Sequence, residues 1–192
     1  MKMGYFGDTY DVTKRFLLGA IAPDATEWVA FPMFTHKVTK DDIAAYEKFL
    51  RVSVTSRDAL IPNDNRTKHL SPSHHRHIFL DPNTGIKIKP FNGARSVEYV
   101  FGPELVALCK QVHERLLLVF DQSIPNGLPN VKRAYIAKKL GYFSEKRISC
   151  FAYLSHTCFV VLSGSESTCQ AARAHLLESH LPQLRLVDAD HA

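Results

Sequence analysis

The chain has 192 residues, of which 45% are hydrophobic and 22% are charged, proportions typical of a globular protein, and we expect one domain spanning residues 1–192. No apolar run approaches the roughly 18 residues that a membrane-spanning helix requires, and residues 1–10 lack the pattern of a secretory signal, so we expect a cytoplasmic protein without a membrane partner. A net charge of +5 and a pI near 9.0 favour an anionic partner such as nucleic acid or a nucleotide.

Apolar side chains that recur at three- and four-residue intervals predict five helices. Thr9 or Asp11 caps the first of them, and Thr39 with Asp42 forms a capping-box variant before the second. Gly102 and Pro103 open the third. The other boundaries are less sharply marked, and the predicted helices cover roughly residues 9–19, 40–50, 102–112, 131–142 and 166–177.

Short apolar runs between these helices predict the strands of a sheet. They lie at residues 27–31, 52–60, 77–81, 116–121, 148–153, 158–162 and 184–187, and a polar loop occupies residues 62–76. The strand, helix and strand order over residues 77–121 predicts a parallel pair. Residues 154–157 are too few for a parallel crossover, so the two strands that they join form an antiparallel hairpin. The fold class is therefore a three-layer α/β domain with a mostly parallel sheet.

Ligands of an open parallel sheet bind outside the carboxyl ends of its strands. The polar residues predicted to meet at that edge are Thr35, His36, Asp81, Asn83, Asp121, Gln122, Ser155 and His156. Asp81 and Asp121 end two adjacent strands and are predicted to share a divalent cation or to divide acid and base roles. In the alternative interpretation each merely caps the loop or helix that follows it. A buried, unpaired carboxylate is costly, so we expect Asp81 at the mouth of the crevice.

The order of these elements resembles that of class I, Rossmann-like methyltransferases. The segment LDPNTG, residues 80–85, looks like the Asp-Pro-Pro-Tyr loop of adenine and cytosine N-methyltransferases. The segment GDTYDVTKRFLL, residues 7–18, is similar to the opening segment of the large-subunit ribosomal RNA adenine methyltransferases, which carries a lysine in the equivalent helix. The chain also resembles a family of short bacterial and phage proteins that share GD, YD and K, then PMFT and FLDPDTGI. The methyltransferase resemblance implies a Rossmann-like fold and a nucleic-acid or nucleotide ligand.

Lys14 is the residue that the opening segment singles out. It follows Asp8 and Asp11 on the first helix, and in one interpretation it reaches the strand-end edge with them and takes part in catalysis beside Asp81. In the other it is a surface lysine that the two acids balance.

The chain departs from the methyltransferase pattern at two places. The turn after the first strand reads FPMFTHK, and no glycine lies between Glu27 and Gly85, whereas the family uses a glycine-rich turn so that the backbone approaches S-adenosylmethionine. The second proline and the aromatic residue of the family loop are replaced by Asn83 and Thr84. These departures argue against a bound methyl donor and remove the platform on which a flipped base stacks.

Two alternatives to a degenerate methyltransferase-like function are a metal-dependent nuclease and a non-enzymatic interaction protein. Asp81, Asp121 and Lys87 are the residues that would serve metal-assisted phosphodiester cleavage. The histidines of residues 69–77 are a weaker signal, because no cysteine accompanies them and a solvated loop explains them. The four cysteines lack the close pair spacing of most zinc sites and are predicted to be reduced and buried.

Overall fold

The computed structural model describes residues 6–22, 28–34, 36–55 and 77–189. We number five α-helices and nine strands along these residues. The helices are α1 (Thr9–Ile21), α2 (Lys40–Leu50), α3 (Gly102–Gln111), α4 (Pro129–Glu145) and α5 (Glu166–Glu178). The strands are β1 (Trp28–Phe31), β2 (Val52–Val54), β3 (His77–Leu80), β4 (Gly85–Lys87), β5 (Tyr99–Phe101), β6 (Leu117–Asp121), β7 (Ser149–Leu154), β8 (Cys158–Ser163) and β9 (Leu186–Asp188).

Seven strands form one mixed sheet in the order β2-β1-β3-β6-β8-β7-β9. The pairs from β2 to β6 are parallel, with Leu80 of β3 opposite Val119 of β6. The predicted parallel pairing of the two central strands is therefore confirmed. Strand β8 is antiparallel to both β6 and β7, and β9 is antiparallel to β7. Five of the seven strands run in the same direction, so the sheet is largely parallel but mixed.

Helices cover both faces of this sheet, and its central strands are therefore buried on both sides. One core cluster packs side chains of α1, α2 and α5 against Phe79 and Phe120, and we call this face the α1 face. The other cluster packs α3 and α4 against Leu80 and Val119, and we call it the α4 face. Successive residues of a strand point to opposite faces, so a one-residue step along a strand decides which layer a side chain meets.

The helix caps follow the sequence except at the first helix. The capping box of Thr39 and Asp42 is present, with the Asp42 N–H donating to Thr39 Oγ1 at 3.1 Å and the Thr39 N–H donating to Asp42 Oδ2 at 2.9 Å. Pro103 stands in the first turn of α3, as predicted. The cap of α1 is Asp8 and not Thr9 or Asp11. Its carboxylate accepts from the Tyr10 N–H at 2.8 Å, which is the usual reason for an aspartate at this position.

The structure adds a second, two-stranded parallel sheet of β4 and β5 that periodicity did not predict. Three-residue strands carry too little pattern to separate them from a turn. The predicted loop at residues 62–76 lies outside the described residues. In the part of the chain that the structure covers, no helix combines the length and apolar character needed to cross a membrane.

His77, the first residue of β3, is held in its neutral form. Its Nδ1 accepts a hydrogen bond from the Leu116 N–H at 3.1 Å, and its ring lies 5.1 Å from the Trp28 ring. Burial, and then the nearby Arg115 guanidinium, lower the pKa of His77 to about 4. The folded state thus resists protonation of a side chain that an unfolded chain protonates near pH 6.5.

We expect His77 to destabilise the protein as the pH falls from about 6.5 to about 4. The unfolded state binds the proton over this range and the folded state does not, so the free energy of unfolding drops by at most about 3 kcal/mol. Urea denaturation at pH 7.5 and 4.5, followed by Trp28 fluorescence, measures this in wild type and His77→Phe. The acid-induced loss should be smaller in the variant, and equal losses would contradict the assignment.

Candidate functional site

Asp81, directly after β3, is the centre of a buried polar cluster on the α1 face. The Lys14 ammonium donates to Asp81 Oδ2 at 3.0 Å and to Asp11 Oδ1 at 2.8 Å. The Tyr46 hydroxyl donates to the same Asp81 oxygen at 3.1 Å. Asp81 is 1% exposed and Lys14 is 4% exposed. Helices α1 and α2 therefore bring a cation and a phenol to the end of β3, and we call these four residues the Asp81 cluster.

Two further contacts fix Lys14 in this position. The Gly7 N–H donates to the second oxygen of Asp11 at 2.8 Å, which orients the Asp11 carboxylate. The Lys14 ammonium lies 4.3 Å from the centroid of the Phe120 ring, a distance that permits a cation–π interaction. The charge of Lys14 is thus compensated by two carboxylates and one aromatic face.

The electrostatics of the Asp81 cluster favour a charged lysine and a neutral phenol. Burial alone would lower the pKa of Lys14, but the Asp81 and Asp11 carboxylates outweigh burial and raise it. Burial and the Asp81 charge raise the pKa of Tyr46 well above its ordinary value. Tyr46 therefore remains a hydrogen-bond donor, and neither group is poised to exchange a proton near neutral pH.

Asp121, the last residue of β6, is the centre of a second buried cluster on the α4 face. The Lys139 ammonium of α4 donates to Asp121 Oδ2 at 2.6 Å and to Ser123 Oγ at 2.9 Å. Asp121 Oδ1 accepts from the Ile86 N–H at 3.0 Å, the Ser123 N–H at 2.9 Å and the Ser123 hydroxyl at 2.7 Å. Asp121 is fully buried. This Asp121 cluster ties β6, the start of β4 and α4 together.

Gly85 allows the chain to pass this close to Asp121. Its φ is +133°, a backbone conformation that residues other than glycine rarely adopt. A Cβ at this position would overlap Asp121 Oδ1 and lie 2.9 Å from Asp121 Cα. A glycine in the DPNTG segment is thus required for packing of the backbone against a carboxylate. The same approach lets the Gln122 N–H donate to the Thr84 carbonyl at 2.9 Å.

The two carboxylates point to opposite faces of the sheet. Leu80 pairs with Val119, and alternate residues of a strand point to opposite faces. Asp81 therefore points to the same face as Phe120, and Asp121 points to the same face as Val119. Each carboxylate has its own lysine. The hypothesis that Asp81 and Asp121 share one cation therefore has no geometric basis, and the expectation that Asp81 stands at the mouth of a crevice is wrong. Among the described residues, no group of three or more histidine, cysteine, aspartate or glutamate side chains is arranged to hold a metal ion.

The structure distributes the other predicted site residues unevenly. Asp11 joins Lys14 in the Asp81 cluster, whereas Asp8 acts as the α1 cap. In the hairpin turn, Ser155 Oγ and His156 Nδ1 lie 3.3 Å apart, and the His156 ring lies 4.7 Å from the Tyr10 ring, so the turn does meet α1 at the strand-end edge.

The remaining predicted residues contribute less to either cluster. His36 and Gln122 are exposed, Asn83 is half-buried, and Thr35 lies outside the described residues. Lys87 is half-buried, with its ammonium 5.4 Å from the centroid of the Tyr99 ring.

Sequence reasoning missed Tyr46, Lys139 and Ser123. A signal for two of them was present, because Lys139 falls between Ile136 and Leu140 on the buried side of α4, and Tyr46 falls between two buried apolar residues of α2. A lysine on the apolar side of a helix predicts a carboxylate opposite it, since a buried charge needs a partner. Lys14 likewise lies on the buried side of α1, together with Leu17 and Leu18.

Comparison with protein-family models, with curated proteins and with solved structures found no match to this chain. Inferences about its function therefore depend on its own residues.

Proposed function

We propose that this chain is a degenerate, Rossmann-like methyltransferase-like domain that binds nucleic acid or a nucleotide. The observation that carries the proposal is the 3.0 Å contact between Lys14 and Asp81. These residues belong to the two segments on which the methyltransferase resemblance rests, and they are 67 positions apart. Their meeting at one strand end supports a common origin for both similarities.

The topology supports the same proposal. A largely parallel sheet with helices on both faces, followed by an antiparallel hairpin, is the arrangement that the resemblance implies. The strand-end edge is formed by the turns after β1, β3, β6 and β7. Fold by itself does not assign an activity, so the residues at that edge decide what chemistry is proposed.

The residues at the end of β1 do not fit a methyl donor. Met33 and Phe34 follow β1 after Pro32, are buried, and take the place of a glycine-rich turn. Met33 has a φ of +46°, a conformation that brings a bulky side chain into a tight turn. The Phe34 ring lies 6.3 Å from the Tyr46 ring, and Tyr46 in turn binds Asp81. Apolar side chains thus pack where the family brings bare backbone to its cofactor.

The two carboxylates at the strand-end edge are also occupied by hydrogen bonds and ion pairs within the protein. Asp81 binds Lys14 and Tyr46, and Asp121 binds Lys139 and Ser123. A carboxylate held by a buried ammonium is a poor metal ligand or base, because ligand binding must first break the ion pair. These contacts favour binding without catalysis over methyl transfer or metal-dependent phosphodiester cleavage.

Binding measurements test the proposal. We expect a labelled 12-nucleotide RNA or DNA strand, or a mononucleotide, to bind wild-type protein, with oligonucleotide affinity falling as salt rises because lysines displace condensed counterions. Calorimetry with S-adenosylmethionine should give no binding heat. Heat with the methyl donor would show that the domain is not degenerate, and cleavage of the strand with Mg²⁺ or Mn²⁺ would favour a phosphodiesterase. An absence of binding to every oligonucleotide and nucleotide would refute the proposal.

A further inference from the structure

A cleft on the α4 face has the shape and the chemistry of an anion site with aromatic walls. It lies between residues 86–89, at and after β4, and the side of α4 that runs from Tyr135 to Glu145. Its volume is about 630 Å³, which lies within the usual range of small-molecule sites. Ile86 and Ile88 form the apolar part of its lining. The cleft is separate from the buried Asp81 cluster, which lies on the other face of the sheet.

Four lysines line this cleft, and three of them have no compensating acid within the described chain. Lys139 is neutralised by Asp121 at 2.6 Å. Lys87, Lys89 and Lys138 form no ion pair with any described residue, and Lys89 and Lys138 are exposed. Glu145 is the single acid among the described residues of the lining. Three lysines without an ion-pair partner among the described residues, all lining one cleft, create a positive potential that attracts phosphate.

Two tyrosines give the cleft its aromatic character. Tyr135 and Tyr142 are seven residues apart on α4, which places both side chains on one side of the helix, with their Cα atoms about 10 Å apart along its axis. The Lys139 ammonium lies 4.9 Å from the Tyr135 centroid and steadies that ring. Tyr142 packs against Gly102, where a Cβ would come within 2.8 Å of the Tyr142 ring. Burial raises the pKa of Tyr142, so its ring remains a neutral phenol.

Combined lysine and aromatic linings select a particular class of ligand. A base stacks on or beside an aromatic ring, and the phosphate attached to it binds ammonium groups a few ångströms away. An acidic peptide would use the lysines but not the half-buried tyrosine and Ile88 side chains of the lining. A purely apolar ligand would leave three charges unused.

We propose that this cleft binds one nucleotide unit, with the base against Tyr135, Tyr142 and Ile88 and the phosphate held by Lys87, Lys89 and Lys138. The inference rests on the proposed function and gives it a location and a ligand class. The nucleotide unit belongs either to a nucleic-acid strand or to a free nucleotide, which present the same base and phosphate.

Charge reversal at two cleft lysines tests the location. We expect Lys87→Glu and Lys138→Glu each to weaken binding of a labelled single-stranded 12-mer and of ATP by about tenfold or more, since each replaces an attraction to phosphate with a repulsion. Lys40→Glu is the matched control, because Lys40 is an exposed helix lysine on the α1 face and its reversal changes the net charge equally. It should change either affinity by less than about twofold. Circular dichroism confirms that each variant is folded.

A second experiment tests the contact with the base separately from the contact with the phosphate. Tyr135→Leu should weaken ATP binding by roughly tenfold, the loss expected for removal of one stacking platform, and leave the weaker binding of inorganic pyrophosphate unchanged. Binding of the 12-mer with no detectable binding of ATP identifies a nucleic-acid strand as the source, and the reverse identifies a free nucleotide.

The outcomes distinguish failure of the cleft from failure of the proposed function. If wild type binds nucleic acid or nucleotide and both cleft reversals leave the affinity unchanged, or weaken it no more than Lys40→Glu does, the cleft is not the site and the proposed function stands. If wild type binds neither ligand class, both proposals are wrong.

Discussion

Replacing Asp121 with alanine is expected to lower the free energy of unfolding by about 3–5 kcal/mol, because it leaves the Lys139 ammonium buried without its partner. The Ile86 and Ser123 N–H groups would lose the same acceptor, and unsatisfied buried donors add to the cost. The Asp121 cluster holds α4 and the start of β4 on the end of β6. The loss in the free energy of unfolding is measured by equilibrium urea denaturation, with far-ultraviolet circular dichroism as the signal.

A matched pair of lysines on α4 provides the control. Lys139→Met should destabilise the protein by several kcal/mol, since it leaves Asp121 charged and buried, whereas Lys138→Met should change stability by no more than about 0.5 kcal/mol because Lys138 is exposed. If Asp121→Ala cost less than about 1 kcal/mol, the carboxylate would be available to a ligand. The sequence-based interpretation of Asp121 as a site residue would then regain support.

Most of the architecture could be predicted because its elements carry strong local patterns. The periodic apolar residues of α2 and the Thr39–Asp42 box fixed one helix, and the uninterrupted run of β6 marked a strand buried on both faces. The short connection between β7 and β8 forced an antiparallel pair. What the pattern could not supply was the position of β8 between β6 and β7, because strand order depends on contacts between segments far apart in the chain.

The candidate site was predicted less well, because the sequence did not show to which face of the sheet each terminal carboxylate points. Asp81 and Asp121 were both recognised as strand ends, but each strand's register decides the face to which its last residue points. A one-residue difference in where two adjacent strands end moves their terminal side chains to opposite faces. The burial of both carboxylates was unexpected for a related reason. One interpretation of the sequence placed Lys14 beside Asp81 without predicting that the pair is buried, and Lys139, 18 positions from Asp121, was not recognised as a partner.

Replacing Asp81 with asparagine is expected to lower the free energy of unfolding by about 3 kcal/mol or more. Asparagine preserves the volume and can still accept from Tyr46, but it removes one of the two carboxylates that compensate the buried Lys14 ammonium. A structural carboxylate and a ligand-binding carboxylate differ in this respect. Removing the first costs stability, whereas removing the second usually costs binding and leaves stability unchanged or improved.

The alkaline side of the stability curve provides an independent measurement of the same cluster. Asp81 and Asp11 raise the pKa of Lys14 in the folded state above its unfolded value, so the stabilisation is fully present below the unfolded pKa of about 10.4 and is lost as the pH rises through the folded pKa. We expect wild type to lose more stability between pH 9 and pH 11 than Lys14→Met, which has no ammonium to deprotonate.

Tyr46→Phe is the graded control for Asp81→Asn. It removes one neutral hydrogen-bond donor from the cluster and should cost about 1 kcal/mol, clearly less than loss of the carboxylate. A double-mutant cycle of Lys14→Met and Asp81→Leu then isolates the pairwise energy, because the Asp11 contact that is lost with Lys14 is lost in both Lys14→Met backgrounds and cancels in the cycle. If Asp81→Asn is as stable as wild type and the cycle shows no coupling, the 3.0 Å contact is not a stabilising ion pair, and Asp81 would again be the leading candidate for a ligand-binding residue.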